Sequence, residues 1–89
     1  MYFVHVLYSA LHDTIYIGYS SDIEARLRAH NHPQNKAYTK RYQPWELVFS
    51  EQFETRAQAM AREKALKSAR GRAYIWEQVN RRADRKHDS

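Results

Sequence analysis

Phe3-Val4-His5-Val6-Leu7-Tyr8-Ser9 and Thr14-Ile15-Tyr16-Ile17-Gly18-Tyr19-Ser20 decide the fold of this chain. Both stretches are rich in β-branched and aromatic residues, the types that suit a pleated surface. The first alternates, with Tyr2, Val4, Val6 and Tyr8 on one face and Phe3, His5 and Leu7 on the other. Between them Ala10-Leu11-His12-Asp13 is polar enough for a turn, so the pair reads as a β-hairpin. Ser21-Asp22-Ile23-Glu24 follows with capping-box spacing, Ser21 as N-cap and Glu24 three residues on. It predicts a helix to about Asn31, closed before Pro33 because a proline disfavours helix in the residue before it.

Working outward, residues 33–45 read as mostly irregular, and Glu46 to Phe53 suggests a third strand. Thr55-Arg56-Ala57-Gln58 is a second capping box, opening a helix to about Ala69 that Gly71 breaks. A shorter helix over 72–82 carries Tyr74, Ile75, Trp76 and Val79. The order is β-β-α-β-α-α. Three strands cannot bury both faces alone, so the pattern predicts an α+β domain, a three-stranded antiparallel sheet flanked by helices. A first strand between the other two lets the second strand reach the third by a helical crossover. One domain over 1–82 and a frayed, charged tail over 83–89 complete the expected organisation.

Eighty-nine residues make one domain. No stretch approaches the roughly 18 apolar residues a membrane span needs, and no signal peptide is evident. The chain has no cysteine, which excludes disulfides and thiolate metal sites and suits the cytoplasm. His30-Asn31-His32 is too short a pattern for a zinc site without further ligands. A net charge of +5 and a pI of about 9.7 favour polyanionic partners, nucleic acid ahead of an anionic membrane surface. Charge is a weak signal by itself, because many small proteins are basic.

Helix phase is more telling. Ile23, Arg26, Leu27 and His30 fall at i, i+3, i+4 and i+7, the stripe expected to face a core, yet two of them are an arginine and a histidine. Ala59, Met60, Glu63 and Leu66 form a second stripe with a carboxylate at its centre. Buried charges need partners. The plain alternatives are an Arg26 that snorkels to water, a His30 satisfied in the core, and a Glu63 paired with Lys67 at i,i+4.

Together these residues resemble the signature of the GIY-YIG nuclease superfamily. Tyr16-Ile17-Gly18 matches the second half of that motif, and Phe3-Val4-His5 stands in place of the first, ten residues upstream. The resemblance continues through Arg26, His30, Asn31, Thr39 and Glu63 to about Arg72. It implies a small single-domain nuclease that cuts DNA, in preference to RNA, with one Mg²⁺ or Mn²⁺ held by Glu63. Branched, flapped or damaged DNA and roles in repair or recombination fit a domain with little surface for base readout. The resemblance assigns Arg26 to a phosphate oxygen and Tyr16 to the attacking water. It gives His30 a part in proton transfer or phosphate binding.

His5 stands where the family has tyrosine. Histidine titrates near 6.5 and tyrosine near 10, so His5 is expected to serve as base with activity rising through about pH 6–7. A structural role beside Phe3 and Leu7 is the alternative. Gly18 is expected to let the hairpin backbone approach a helix or phosphate closely. Lys36, Tyr38, Thr39, Lys40 and Arg41, with Lys67, form the expected nucleic-acid surface, although Tyr42 and Trp45 equally suit anchoring of that loop. Two rivals remain at this point: a non-catalytic nucleic-acid-binding module of the same fold, and a subunit whose Trp76 helix docks a partner.

Overall fold

The computed structural model describes residues 1–87, with side chains to residue 82. Its elements are β1 (Tyr2–Ser9), β2 (Thr14–Ser20), α1 (Ile23–Asn31), a 3₁₀ turn (Tyr38–Tyr42), β3 (Glu46–Phe53), α2 (Arg56–Leu66) and α3 (Ala69–His87). The expected α+β class and element order hold. The sheet runs β2-β1-β3 with both pairings antiparallel, so β1 is central. Among the described residues no helix is long and apolar enough to cross a membrane.

Alternation along β1 divides the interior in two. Val4 and Val6, with Ile17 of β2, join Ala59 and Leu66 of α2 and Ile75 and Val79 of α3 in one buried cluster. His5 and Leu7 point to the opposite face and are equally buried. In the β1–β2 register His5 lies opposite Gly18 and Leu7 opposite Tyr16, so these four share a face. Trp76 packs against the α2–α3 core, edge-on to Tyr8 with ring centroids 6.0 Å apart. That contact within the domain accounts for Trp76 without a docked partner.

Several local expectations need correction. The N-cap of α1 is Asp22, whose side chain accepts from the Ala25 amide, and not Ser21. Thr55 and Gln58 do form the expected reciprocal capping box of α2. The break between α2 and α3 comes at Lys67 and Ser68, ahead of Gly71. Gly71 is instead a point of close approach, since a Cβ there would sit 2.5 Å from the Leu66 Cα. Helix α3 runs on past 82 to His87. The frayed tail expected from 83 therefore meets helical backbone, and Asp88 and Ser89 lie outside the described residues. The α1 stripe is not buried: the helix contains no buried residue, and Arg26 is exposed. Met60 is also exposed, which leaves Ala59, Glu63 and Leu66 as the inward line of α2.

Candidate active site

A cleft of about 600 Å³ opens along β2, between the start of α1 and helix α2. It gathers His5, Tyr16, Gly18, Arg26, Glu63 and Lys67 from four elements and from the residue that follows α2. Local structure explains each placement. His5 and Tyr16 project from the same sheet face with Gly18 beside them. A Cβ on Gly18 would lie 3.0 Å from Tyr16 Cε1 and 3.1 Å from His5 Nε2. The glycine is therefore space for two rings, which refines the expected close approach of a helix or phosphate.

His5 is almost fully buried, and its Nδ1 has no hydrogen-bond partner. Burial, followed by the charges of His30 and Arg26, lowers its pKa from the ordinary 6.5 to about 4, against an opposing pull from Glu63. The imidazole is thus neutral at pH 7. The expected titration at pH 6–7 does not belong to this residue, because desolvation penalises its charged form. Arg26, His30 and Glu63 all lie within electrostatic reach of His5.

Arg26 has no ion pair among the described residues. Glu63 has one: Lys67 Nζ donates to its Oε1 at 2.9 Å. The plain i,i+4 reading of Glu63 is therefore realised, but Oε2 has no partner among the described residues and the carboxylate still lines the cleft. A single hard carboxylate oxygen of this kind fits Mg²⁺ or Mn²⁺. No group of three or more candidate metal ligands exists among the described residues, so water and phosphate oxygens would complete the shell.

His30 stands behind the cleft rather than in it. Its ring packs on Tyr16 with centroids 4.5 Å apart, and its Nδ1 lies 3.0 Å from Thr39 Oγ1. Thr39 Oγ1 also accepts from Asn35 Nδ2 at 3.0 Å, which ties the His30 ring to the loop that follows α1. Burial, then the charge of Arg26, lowers the His30 pKa.

Thr39, expected on the nucleic-acid surface, is buried and held in this network. Lys36, Tyr38, Lys40 and Arg41 are exposed but do not line the cleft. Anchoring explains the aromatic residues of this loop. Trp45 Nε1 donates to the Thr39 carbonyl at 2.9 Å, and Trp45 exchanges two hydrogen bonds with the Asn31 side chain. Gln43 caps the end of α1 by donating to the His30 and His32 carbonyls.

The sequence reading missed Tyr2, Tyr19 and Arg56, which line one end of the cleft. Arg56 was visible only as the first residue after a helix cap. No local pattern joins it to Tyr19, 37 positions away, whose hydroxyl it contacts.

Residues 1–81 match the family model described as the GIY-YIG catalytic domain. The chain belongs to the GIY-YIG family. This is a nuclease family. A UPF0213 protein of Staphylococcus saprophyticus is 42% identical over 55 residues, which cover 62% of this chain and 67% of that one. A UPF0213 protein of Staphylococcus aureus strain Mu3 is 40% identical over a stretch of the same coverage. The solution structure of a UPF0213 protein from Bacillus halodurans matches with a TM-score of 0.51 and 26% identity, covering 86% of this chain and 84% of that one. The GIY-YIG fold expected from sequence is thereby established.

Proposed function

We propose that this GIY-YIG protein is a divalent-metal-dependent endonuclease that hydrolyses phosphodiester bonds in DNA, selecting structure rather than sequence. The observation that carries the reading is the convergence on one cleft of unpaired Arg26, Glu63 with an uncommitted oxygen, and the His5–Tyr16 pair. The planar fork of Arg26 binds a non-bridging phosphate oxygen and stabilises the charge that grows there in the transition state. Glu63 would hold Mg²⁺ or Mn²⁺, which supplies polarisation of the phosphate and stabilisation of the leaving oxyanion when bound. Lys67 holds Glu63 in place and adds positive charge beside it.

The Tyr16 hydroxyl orients the attacking water, and neutral His5 accepts its proton at a ring nitrogen. An acceptor with a pKa of about 4 takes that proton late, once the new P–O bond has made the water oxygen acidic. His30 acts through Tyr16, whose ring it fixes, and touches neither water nor phosphate.

A second reading, binding without turnover, draws on the same histidine, which is weakly basic and occupies the place of the family tyrosine. One panel separates the two. Labelled duplex, flapped and branched DNA, with matching RNA, is incubated with Mg²⁺, Mn²⁺ or EDTA. Metal-dependent cleavage by the wild type that disappears in a folded, DNA-binding Glu63→Gln variant supports the nuclease. Binding with no product in any metal selects the second reading, and undiminished cutting by Glu63→Gln removes Glu63 from the site.

A further inference from the structure

The cleft extends beyond the reacting residues to a wall formed by Tyr2, Tyr19 and Arg56. None of these has a part in the chemistry above. Arg56 is the first residue of α2 and is exposed. Its Nε and Nη2 both donate to the Tyr19 hydroxyl, at 3.2 and 3.1 Å, and its guanidinium carbon lies 5.8 Å from the Tyr19 ring centroid. A neutral oxygen therefore fixes the direction of the fork and neutralises none of its charge. The Nη1 hydrogens have no partner among the described residues.

Four other cations are neutralised by carboxylates. Arg28, Arg62, Lys67 and Arg81 each face a glutamate. Lys67, Arg26 and Arg56 are the cations that line the cleft, and only the two arginines are unopposed there. If Arg26 takes the reacting phosphate, Arg56 is a second positive fork waiting on the same groove. Spacing gives it a register. Arg56 and Glu63 are seven residues apart in α2, about 10 Å at 1.5 Å per residue. A strand of B-form DNA rises about 3.4 Å per nucleotide along its axis but also winds around it, so neighbouring phosphates stand about twice that far apart and 10 Å corresponds to about one to two nucleotides.

We propose that Arg56, positioned by Tyr19, binds a backbone phosphate about one to two nucleotides from the bond that is cut, and so sets the cut site relative to the bound strand. The inference rests on the nuclease reading for the words "bond that is cut"; the phosphate contact itself does not. It is a contact with a phosphodiester anion and carries no base specificity.

Two measurements test it, each on wild type, Arg56→Ala, Arg56→Lys and Tyr19→Phe after folding is checked by circular dichroism. The first is binding to a labelled duplex in EDTA across a salt series. Loss of one phosphate contact lowers the slope of log K against log salt by about 0.9 in Arg56→Ala, while Arg56→Lys keeps it. The second is cleavage of duplexes with a neutral methylphosphonate at one position at a time. Wild type is slowed about tenfold by the substitution about one to two nucleotides from the cut, the scale for one hydrogen bond to a charged group. Arg56→Ala is insensitive there, and Tyr19→Phe spreads the sensitivity over neighbouring positions, because the charge survives and its direction does not.

A salt slope unchanged in Arg56→Ala, with the same methylphosphonate pattern as wild type, overturns the proposal and leaves the nuclease reading intact. A wild type that never cuts, but whose slope falls on Arg56→Ala, overturns the nuclease reading and retains the contact. Failure of the wild type to bind DNA at all overturns both.

Discussion

Replacing His5 with phenylalanine should remove a large part of the protein's sensitivity to acid. The imidazole is buried on the central strand, and its pKa falls from 6.5 to about 4 on folding. Below pH 6.5 the unfolded chain binds a proton that the folded chain refuses, so stability rises with pH across this window. The contribution is complete above 6.5 and is lost as pH falls from there toward 4. At 1.36 kcal/mol per pH unit, His5 removes about 2 kcal/mol by pH 5 and about 3 kcal/mol by pH 4, relative to pH 7. A domain of this size is stable by only about 5–10 kcal/mol, so the loss is large. Phenylalanine has no charged form to desolvate, and it removes the unpartnered Nδ1. The assay is urea unfolding of both proteins, followed by circular dichroism, at pH 7, 6, 5 and 4. The wild type should lose about 2–3 kcal/mol more than His5→Phe between pH 7 and 4. Parallel loss in the two proteins would refute the reasoning, since it would mean that His5 titrates alike in both states. The comparison is one of slopes, so an offset at pH 7 from repacking the larger ring does not disturb it.

Other outcomes follow from the same site. Arg26→Ala should fold normally, because its side chain is exposed and unpaired, yet lose at least about 2–3 kcal/mol of transition-state stabilisation in a cleavage assay. Binding to long DNA should weaken far less, and normal cutting would show the residue to be a bystander. Gly18→Ala should destabilise by about 1–3 kcal/mol in urea and slow cleavage, because its methyl group would press on the His5 and Tyr16 rings; a wild-type midpoint would mean that the rings yield freely. The pH–rate profile of the wild type should show no rise through 6–7 that belongs to His5, which is already neutral above about 4. A rise near 6.5 that vanishes in His5→Phe would restore an ordinary, solvated histidine base.

The strands were legible because their information is local. Period-two alternation and bounding polar residues placed Thr14–Ser20 and Glu46–Phe53 where the structure has them. The Thr55 and Gln58 cap was legible for the same reason, as a reciprocal contact between residues three apart. Order and class followed from the need to cover a three-stranded sheet. Helix phase marked Arg26 and Glu63, and the resemblance to the GIY-YIG signature added His5 and Tyr16; the four share one cleft. Helical periodicity defined a face on α1, but not what that face would meet. Arg26 is open to a groove, and α1, which meets β1 and the 3₁₀ turn, has half-buried residues but none fully buried. Only folding joined Asn31 to Trp45, Thr39 to His30 and Arg56 to Tyr19, since such contacts depend on chain reversals that no window of sequence contains. The charge state of His5 was decided the same way. The residue type supplied a group that titrates near neutrality, and burial on the central strand, with Arg26 and His30 brought close, moved that titration to about 4. Desolvation and Coulomb interaction depend on distance in space, and that distance is set only when the chain closes on itself.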